Sequence, residues 1–242
     1  MNKKKLIVST ILLLVMWHVA SLILNKNILP SPLKVVPHLL SIFNSKLIIH
    51  IFYSFSRIIF GILFGIAIGW PMGIIVGYFK KADDYISPII YFIYPIPKIA
   101  LLPIFMLLFG LGEFTKIFII FLIVLFQIIV NIRDCIKDLD PTLYYPLNAL
   151  GSKDSQIIQH ILIPASLPSL FSSVRISLGT SIAILFFSET FGTTYGLGYF
   201  IMDSMLRINY VEMYSGIVVL SLLGLFLFIL IDIISNKYLK WQ

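Results

Sequence analysis

Apolar residues arrive in six long runs, about Leu6–Leu24, Ile51–Gly77, Ser87–Phe109, Thr115–Ile132, Leu167–Phe191 and Tyr214–Ser235, parted by more polar stretches. A bilayer core of ~30 Å takes about 20 helical residues at a rise of ~1.5 Å each, so every run has the length of a crossing. None of them alternates apolar and polar residues every second position. In lipid the backbone must satisfy its own amides, so the runs are predicted as helices. The pattern predicts an all-α integral membrane protein with six transmembrane helices. It forms one domain over 1–242, with a core at about 51–235 and a first span plus outer loop over 1–50. No internal repeat is found, whereas many secondary transporters are built from two related halves.

Composition agrees with this class. Apolar residues make up 59% of the chain and charged ones 12%, and the mean hydropathy is +1.00. Soluble domains run at about 45–50% apolar and about 25% charged. The net charge of +7 does not point to nucleic acid, because the cations sit in short clusters at the ends of apolar runs. With the N-terminus inside, Lys3, Lys4, Lys5, Lys80, Lys81, Arg133, Lys137, Lys153, Lys237 and Lys240 fall on the cytoplasmic side. Lys26, Lys34, Lys46, Lys116 and Arg207 fall outside. Ten against five predicts both termini in the cytoplasm. Leu6–Leu24 is longer than the ~7–15 apolar residues of a signal peptide and no small-residue cleavage site closes it, so it is expected to be retained. The outer loop Asn25–His50, with Pro30, Pro32 and Pro37, is expected to carry a short interfacial helix.

Candidate chemistry is sparse. Cys135 is the single cysteine, His18, His38, His50 and His160 are scattered, and no Gly-x-Ser-x-Gly elbow occurs. Metal sites and hydrolase chemistry have no foothold. Gly192–Tyr199 lacks the Gly-Lys-Ser/Thr ending of a phosphate loop and reads as a turn or re-entrant segment.

Several residues inside the spans stand out. Gly61, Gly65, Gly69, Gly73 and Gly77 form a stripe where another helix can approach closely, either for packing or as a sliding surface. Pro71 is expected to loosen or kink that helix. Pro95, Pro97 and Pro103 break regular helix around Lys98, an ammonium that either lines a pathway or snorkels toward the interface. Glu189 either lines a pathway or braces a helix end beside Gly192. Arg57 and Arg175 read as interfacial anchors.

The polar stretch between the fourth and fifth runs carries the sharpest signal. Leu150 to His160 is predicted as about three turns of amphipathic helix, with Gly151 permitting a backbone turn and Pro164 and Pro168 ending helix before the fifth span. Such a helix docks into a partner's groove or lies on lipid.

Ala149-Leu150-Gly151-Ser152-Lys153-Asp154, followed by Ile161, Ile163 and Pro164, resembles the coupling loop of ABC importer permeases. The resemblance extends to Leu29-Pro30-Ser31-Pro32, Pro95-Ile96-Pro97-Lys98-Ile99-Ala100-Leu101-Leu102-Pro103, Phe109-Gly110-Leu111-Gly112-Glu113, Glu189 and Gly196-Leu197-Gly198-Tyr199. These look like the nitrate/sulfonate/taurine branch. One departure is present: the family loop usually opens Glu-Ala-Ala, and here those positions are Tyr145, Pro146 and Leu147. A glutamate contact to the partner is absent there, and Pro146 should shorten the helix at its N-terminal side.

The resemblance implies the type I importer-permease fold in the cell inner membrane, with a cytoplasmic coupling helix. It implies a homodimer in lipid, a separate ATPase subunit that binds the ATP, and an extracytoplasmic solute-binding protein. The chain itself is then no enzyme and holds no cofactor. The solutes of the branch are nitrate, sulfonates, taurine, bicarbonate and thiamine-precursor pyrimidines. Two rival classes are an ion-coupled secondary transporter, for which Glu189 is the only good acid in the spans, and a membrane enzyme or scaffold, which lacks a catalytic constellation.

Overall fold

A computed structural model of the chain describes residues 3–24 and 27–239, and all regular structure among them is helical. Lys26 and Lys240, counted in the charge balance, lie outside the described residues. The helices are α1 (Lys3–Leu24), α2 (Pro32–Ile42), α3 (Ile48–Tyr78), α4 (Lys80–Ile93), α5 (Leu102–Phe109) and α6 (Glu113–Lys137). After them come α7 (Tyr145–Ala149), α8 (Asp154–Ile157), α9 (Ile163–Glu189), α10 (Leu197–Leu206) and α11 (Tyr210–Tyr238).

Four helical runs are long and apolar enough to cross a membrane: Ile48–Tyr78, Glu113–Lys137, Asp154–Glu189 and Tyr210–Tyr238. The pair Lys80–Ile93 and Lys98–Phe109, bent by 79°, makes a fifth if counted as one broken span. This is the bend the prolines predict, since Pro95 and Pro97 supply no amide donors there. α1 (Lys3–Leu24) is a further helix of 22 residues, apolar in sequence from Leu6 to Leu24. Among the described residues, four or five segments thus meet the length and hydropathy of a crossing; the hydropathy pattern predicts six.

Pro164 and Pro168 do not end helix, contrary to expectation. Residues Asp154–Glu189 form one helical run through both prolines. A π turn at Ile158–Leu162 ends two residues before Pro164. Its wider hydrogen-bonded ring displaces the carbonyl that a proline ring would otherwise strike, so the chain absorbs the proline without stopping. Pro71 likewise sits within α3, which continues to Tyr78.

The helices divide into two compact units. The first comprises residues 1–55 and 189–223. In it Ser31 and Pro32 start α2, which buries Val35 and Ile42, and a π turn at Phe43–Leu47 leads into α3. Trp17 stacks on Tyr214 at 5.8 Å between ring centroids. Glu212 is buried and accepts from Lys46 (3.0 Å), Arg207 (3.2 Å) and Asn209 (2.7 Å).

The second unit comprises residues 56–188 and 224–242. Its centre is the meeting of α3 and α6. Gly61, Gly65, Gly69, Gly73 and Gly77 face Ile120, Val124, Ile128, Ile132 and Ile136. Both rows step by four residues, so each missing side chain on α3 admits a β-branched one on α6. A Cβ at Gly65 would lie 2.8 Å from the Cβ of Val124, and one at Gly73 would lie 2.7 Å from that of Ile132.

Arg57 corrects another expectation. It is fully buried rather than an interfacial anchor, and its guanidinium forks onto Glu113, Nε to Oε2 at 2.6 Å and Nη2 to Oε1 at 2.5 Å. The bidentate carboxylate stabilises a charge that lipid would not. Arg175 pairs with Asp232.

Candidate functional site

The loop between α6 and α9 is built from short local devices. The Asp140 carboxylate accepts the Thr142 amide at 2.8 Å and opens a 3₁₀ turn at Pro141–Tyr144. That backbone hydrogen bond holds the Asp140 carboxyl below its usual range. Pro146 falls in the first turn of α7, where a missing amide is tolerated, and α7 is only five residues long. Gly151, at φ +68, then turns the chain in the left-handed region. Its amide donates to Asn148 O at 3.0 Å and that of Ser152 to Leu147 O at 3.1 Å. This closure satisfies the last carbonyls of α7 and suits glycine. Lys153 is extended, its amide donates to Gln156 Oε1 at 2.8 Å, and Asp154 starts α8.

The helical part of this loop therefore differs from the predicted Leu150–His160. A short helix precedes Gly151, and the residues from Asp154 onward belong to the long run that crosses the membrane. The reason is the glycine closure, which separates the two pieces more sharply than the periodicity of the apolar residues shows.

Ala149, Leu150, Gly151, Lys153 and Asp154 lie together on an exposed knuckle, with Ser152 half-buried. Leu150 is 82% exposed, and a Cβ at Gly151 would meet nothing within 4 Å. An apolar side chain so placed, on a turn with no covering atoms, is available to a partner. Ile161, Ile163 and Pro164 are half-buried in the following helix and do not join the knuckle. The knuckle is tied to the end of α3, where Tyr78 Oη donates to Asp154 Oδ1 at 2.9 Å and Tyr78 stacks on Tyr144. Nearby, Asp83 at the start of α4 accepts from Arg133 (2.9 Å) and Lys137 (2.5 Å) of α6. Neither tie was legible in the sequence, because the partners are separated by long stretches of chain.

At the broken span, Lys98 Nζ donates to Ile93 O at 3.3 Å and to Tyr94 O. It thereby caps the end of α4, adding to the Ile96 amide on Ile93 O (3.1 Å) and serving Tyr94 O, at the turn that the prolines break. The ammonium also lies 5.0 Å from the Tyr94 ring centroid and 5.3 Å from that of Phe126. Pro95 and Pro97 are exposed beside it.

Glu189 stands apart, in the first unit. It is fully buried and accepts from Ser54 Oγ at 2.8 and 2.9 Å and from the Gly198 amide at 2.8 Å. Ser54 Oγ in turn accepts the Leu197 amide at 2.8 Å. The carboxylate holds the glycine-rich turn and the first residues of α10 to α3. Glu189→Ala is expected to speed amide hydrogen exchange at Leu197 and Gly198 by about tenfold or more, since a buried charged hydrogen bond contributes ~1.5–3 kcal/mol. Glu189→Gln, which keeps an acceptor, should fall between. Exchange unchanged in Glu189→Ala would remove the bracing role.

Residues 61–240 match the family described as the binding-protein-dependent transport system inner membrane component. The chain belongs to that family. Over 91% of its length it is 29% identical to a permease protein named for aliphatic-sulfonate transport in Bacillus subtilis, covering 80% of that protein. It is 26% identical to the taurine transport system permease protein of Escherichia coli, over 96% of the chain and 87% of that protein. These relatives match the branch suggested by the motifs. In fold, the chain superposes on the inward-facing MetNI methionine ABC transporter with a TM-score of 0.70 at 21% identity, covering 79% of this chain and 95% of that one. The family consists of transport components rather than enzymes. The chain is a membrane permease component of an ABC importer.

Proposed function

We propose that two copies of this permease form the pathway for a small solute of the sulfonate, taurine, nitrate or thiamine-precursor kind. An extracytoplasmic binding protein delivers the solute and a separate ATPase subunit drives its passage. The chain crosses the membrane six times as a single domain over 1–242, with α1 as the first span and both termini in the cytoplasm. It holds no cofactor, because ATP is bound by the partner. The relatives named for sulfonate and taurine transport support the solute class.

The observation that carries the reading is the exposed knuckle at Leu150 and Gly151, tied through Tyr78 to the end of α3. A closing ATPase dimer that grips the knuckle pulls on α3 directly and on α9 through the unbroken run from Asp154. Nucleotide state then biases inward-open against outward-open arrangements of the spans. Alternating access follows without chemistry in the permease.

The test is copurification. A tagged permease coexpressed with its ATPase subunit should retain it through membrane extraction, and Ser155→Cys should crosslink to it. Crosslinks from position 155 to lipid alone, or labelling of that cysteine from outside the cell, would overturn the arrangement.

A further inference from the structure

The break in the third long apolar segment leaves an ammonium without a counter-charge among the described residues. Arg57 is paired with Glu113, Arg133 and Lys137 with Asp83, and Arg175 with Asp232. Lys98 forms no ion pair among the described residues; its contacts are two carbonyls and two aromatic rings. An ammonium has three N–H donors, so one remains after both carbonyls are served. An unneutralised cation at a span's break is costly, and such groups mark ligand pathways.

The surroundings narrow the ligand. Lys98 lies on an open cleft of about 380 Å³ whose walls include Ile123, Phe126, Gln127, Thr180 and Ile184. Tyr94 Oη donates to Gln127 Oε1 at 3.2 Å, which turns the amide so that its NH₂ remains to donate. Among the described residues no carboxylate lines the cleft. Two donors of positive or neutral character beside an apolar wall suit an oxyanion that carries a short hydrocarbon part.

We propose that this cleft is a transit site for a small organic oxyanion, with the Lys98 ammonium and the Gln127 amide on its oxygens and Ile123, Phe126 and Ile184 against its hydrocarbon. Its place in transport rests on the permease reading above, while binding itself does not. The tests use radiolabelled methanesulfonate, with methylammonium as the cationic control. The permease in nanodiscs is expected to bind methanesulfonate and not methylammonium, with affinity at least tenfold weaker in Lys98→Gln and partly kept in Lys98→Arg. Because Lys98 also caps α4, Gln127→Leu supplies an independent variant that leaves the cap intact, and it too should weaken binding severalfold. Proteoliposomes with the ATPase and binding protein should show the same order in ATP-driven uptake. Wild-type binding equal in Lys98→Gln and Gln127→Leu, or preference for methylammonium, overturns the site. Anion binding that depends on Lys98 without any ATP-driven uptake sustains the site and sinks the importer arrangement instead.

Discussion

Replacing Gly151 with valine is expected to lower ATP-driven uptake by about tenfold or more while the permease still inserts. At φ +68 a side chain strains the backbone, and a β-branched one does so most. The left-handed conformation costs about 1–2 kcal/mol, a factor of roughly 5–30 in the population of the turn. The protein's own interior is not disturbed, because a Cβ at that position meets nothing within 4 Å. The loss should therefore be felt where the knuckle meets its partner. Asparagine tolerates this conformation, so Gly151→Asn separates backbone strain from bulk at the docked surface. If Asn retains uptake and Val does not, the turn's shape is what the ATPase reads; if both fail, the space above Gly151 is filled in the complex. Uptake and ATPase retention unchanged in Gly151→Val would refute docking at the knuckle.

The second large effect is expected at the α3–α6 contact. In Gly65→Ala the added methyl would sit 2.8 Å from the Cβ of Val124, nearer than carbon atoms approach, so one helix must move. Overpacking of this kind typically destabilises by ~1–3 kcal/mol. At ~2–4 °C per kcal/mol for a chain of this size, the melting temperature in detergent should fall by several degrees. Gly69→Ala should be milder, because its nearest neighbour, Leu125 O, would be 3.1 Å away. Val124→Gly combined with Gly65→Ala removes the obstructing atoms and should restore part of the loss. Equal melting temperatures for Gly65→Ala and the wild type would show that α3 and α6 are not closely packed in the membrane.

The two regions differ in how far their residues announced themselves. The glycine row could be read directly, since five glycines at intervals of four on one helix leave a groove whatever packs into it. Its occupants could not, because Ile120, Val124, Ile128, Ile132 and Ile136 look like any apolar span. Arg57 shows the same limit. A cation near a span end reads as an anchor until Glu113, fifty-six residues later, is seen to fork onto it. Pro164 misled for a local reason: proline ends most helices, but a π turn ahead of it lets this one continue, and Pro168 then lies inside α9 without ending it. Lys98 took a role that neither sequence reading named, capping the carbonyls at the end of α4 where the prolines break the helix.

Sequence alone determined the membrane class, the break at Pro95–Pro97, the glycine groove and the family resemblance carried by the loop. These follow from hydropathy, missing amide donors and missing side chains, which are properties of neighbouring residues. Tertiary structure decided which charges neutralise each other, where the loop's helix begins, and that Gly151 and Leu150 stand clear of the rest. Those outcomes depend on pairings between distant segments, and burial makes or cancels the cost of a charge only once its partner is in place.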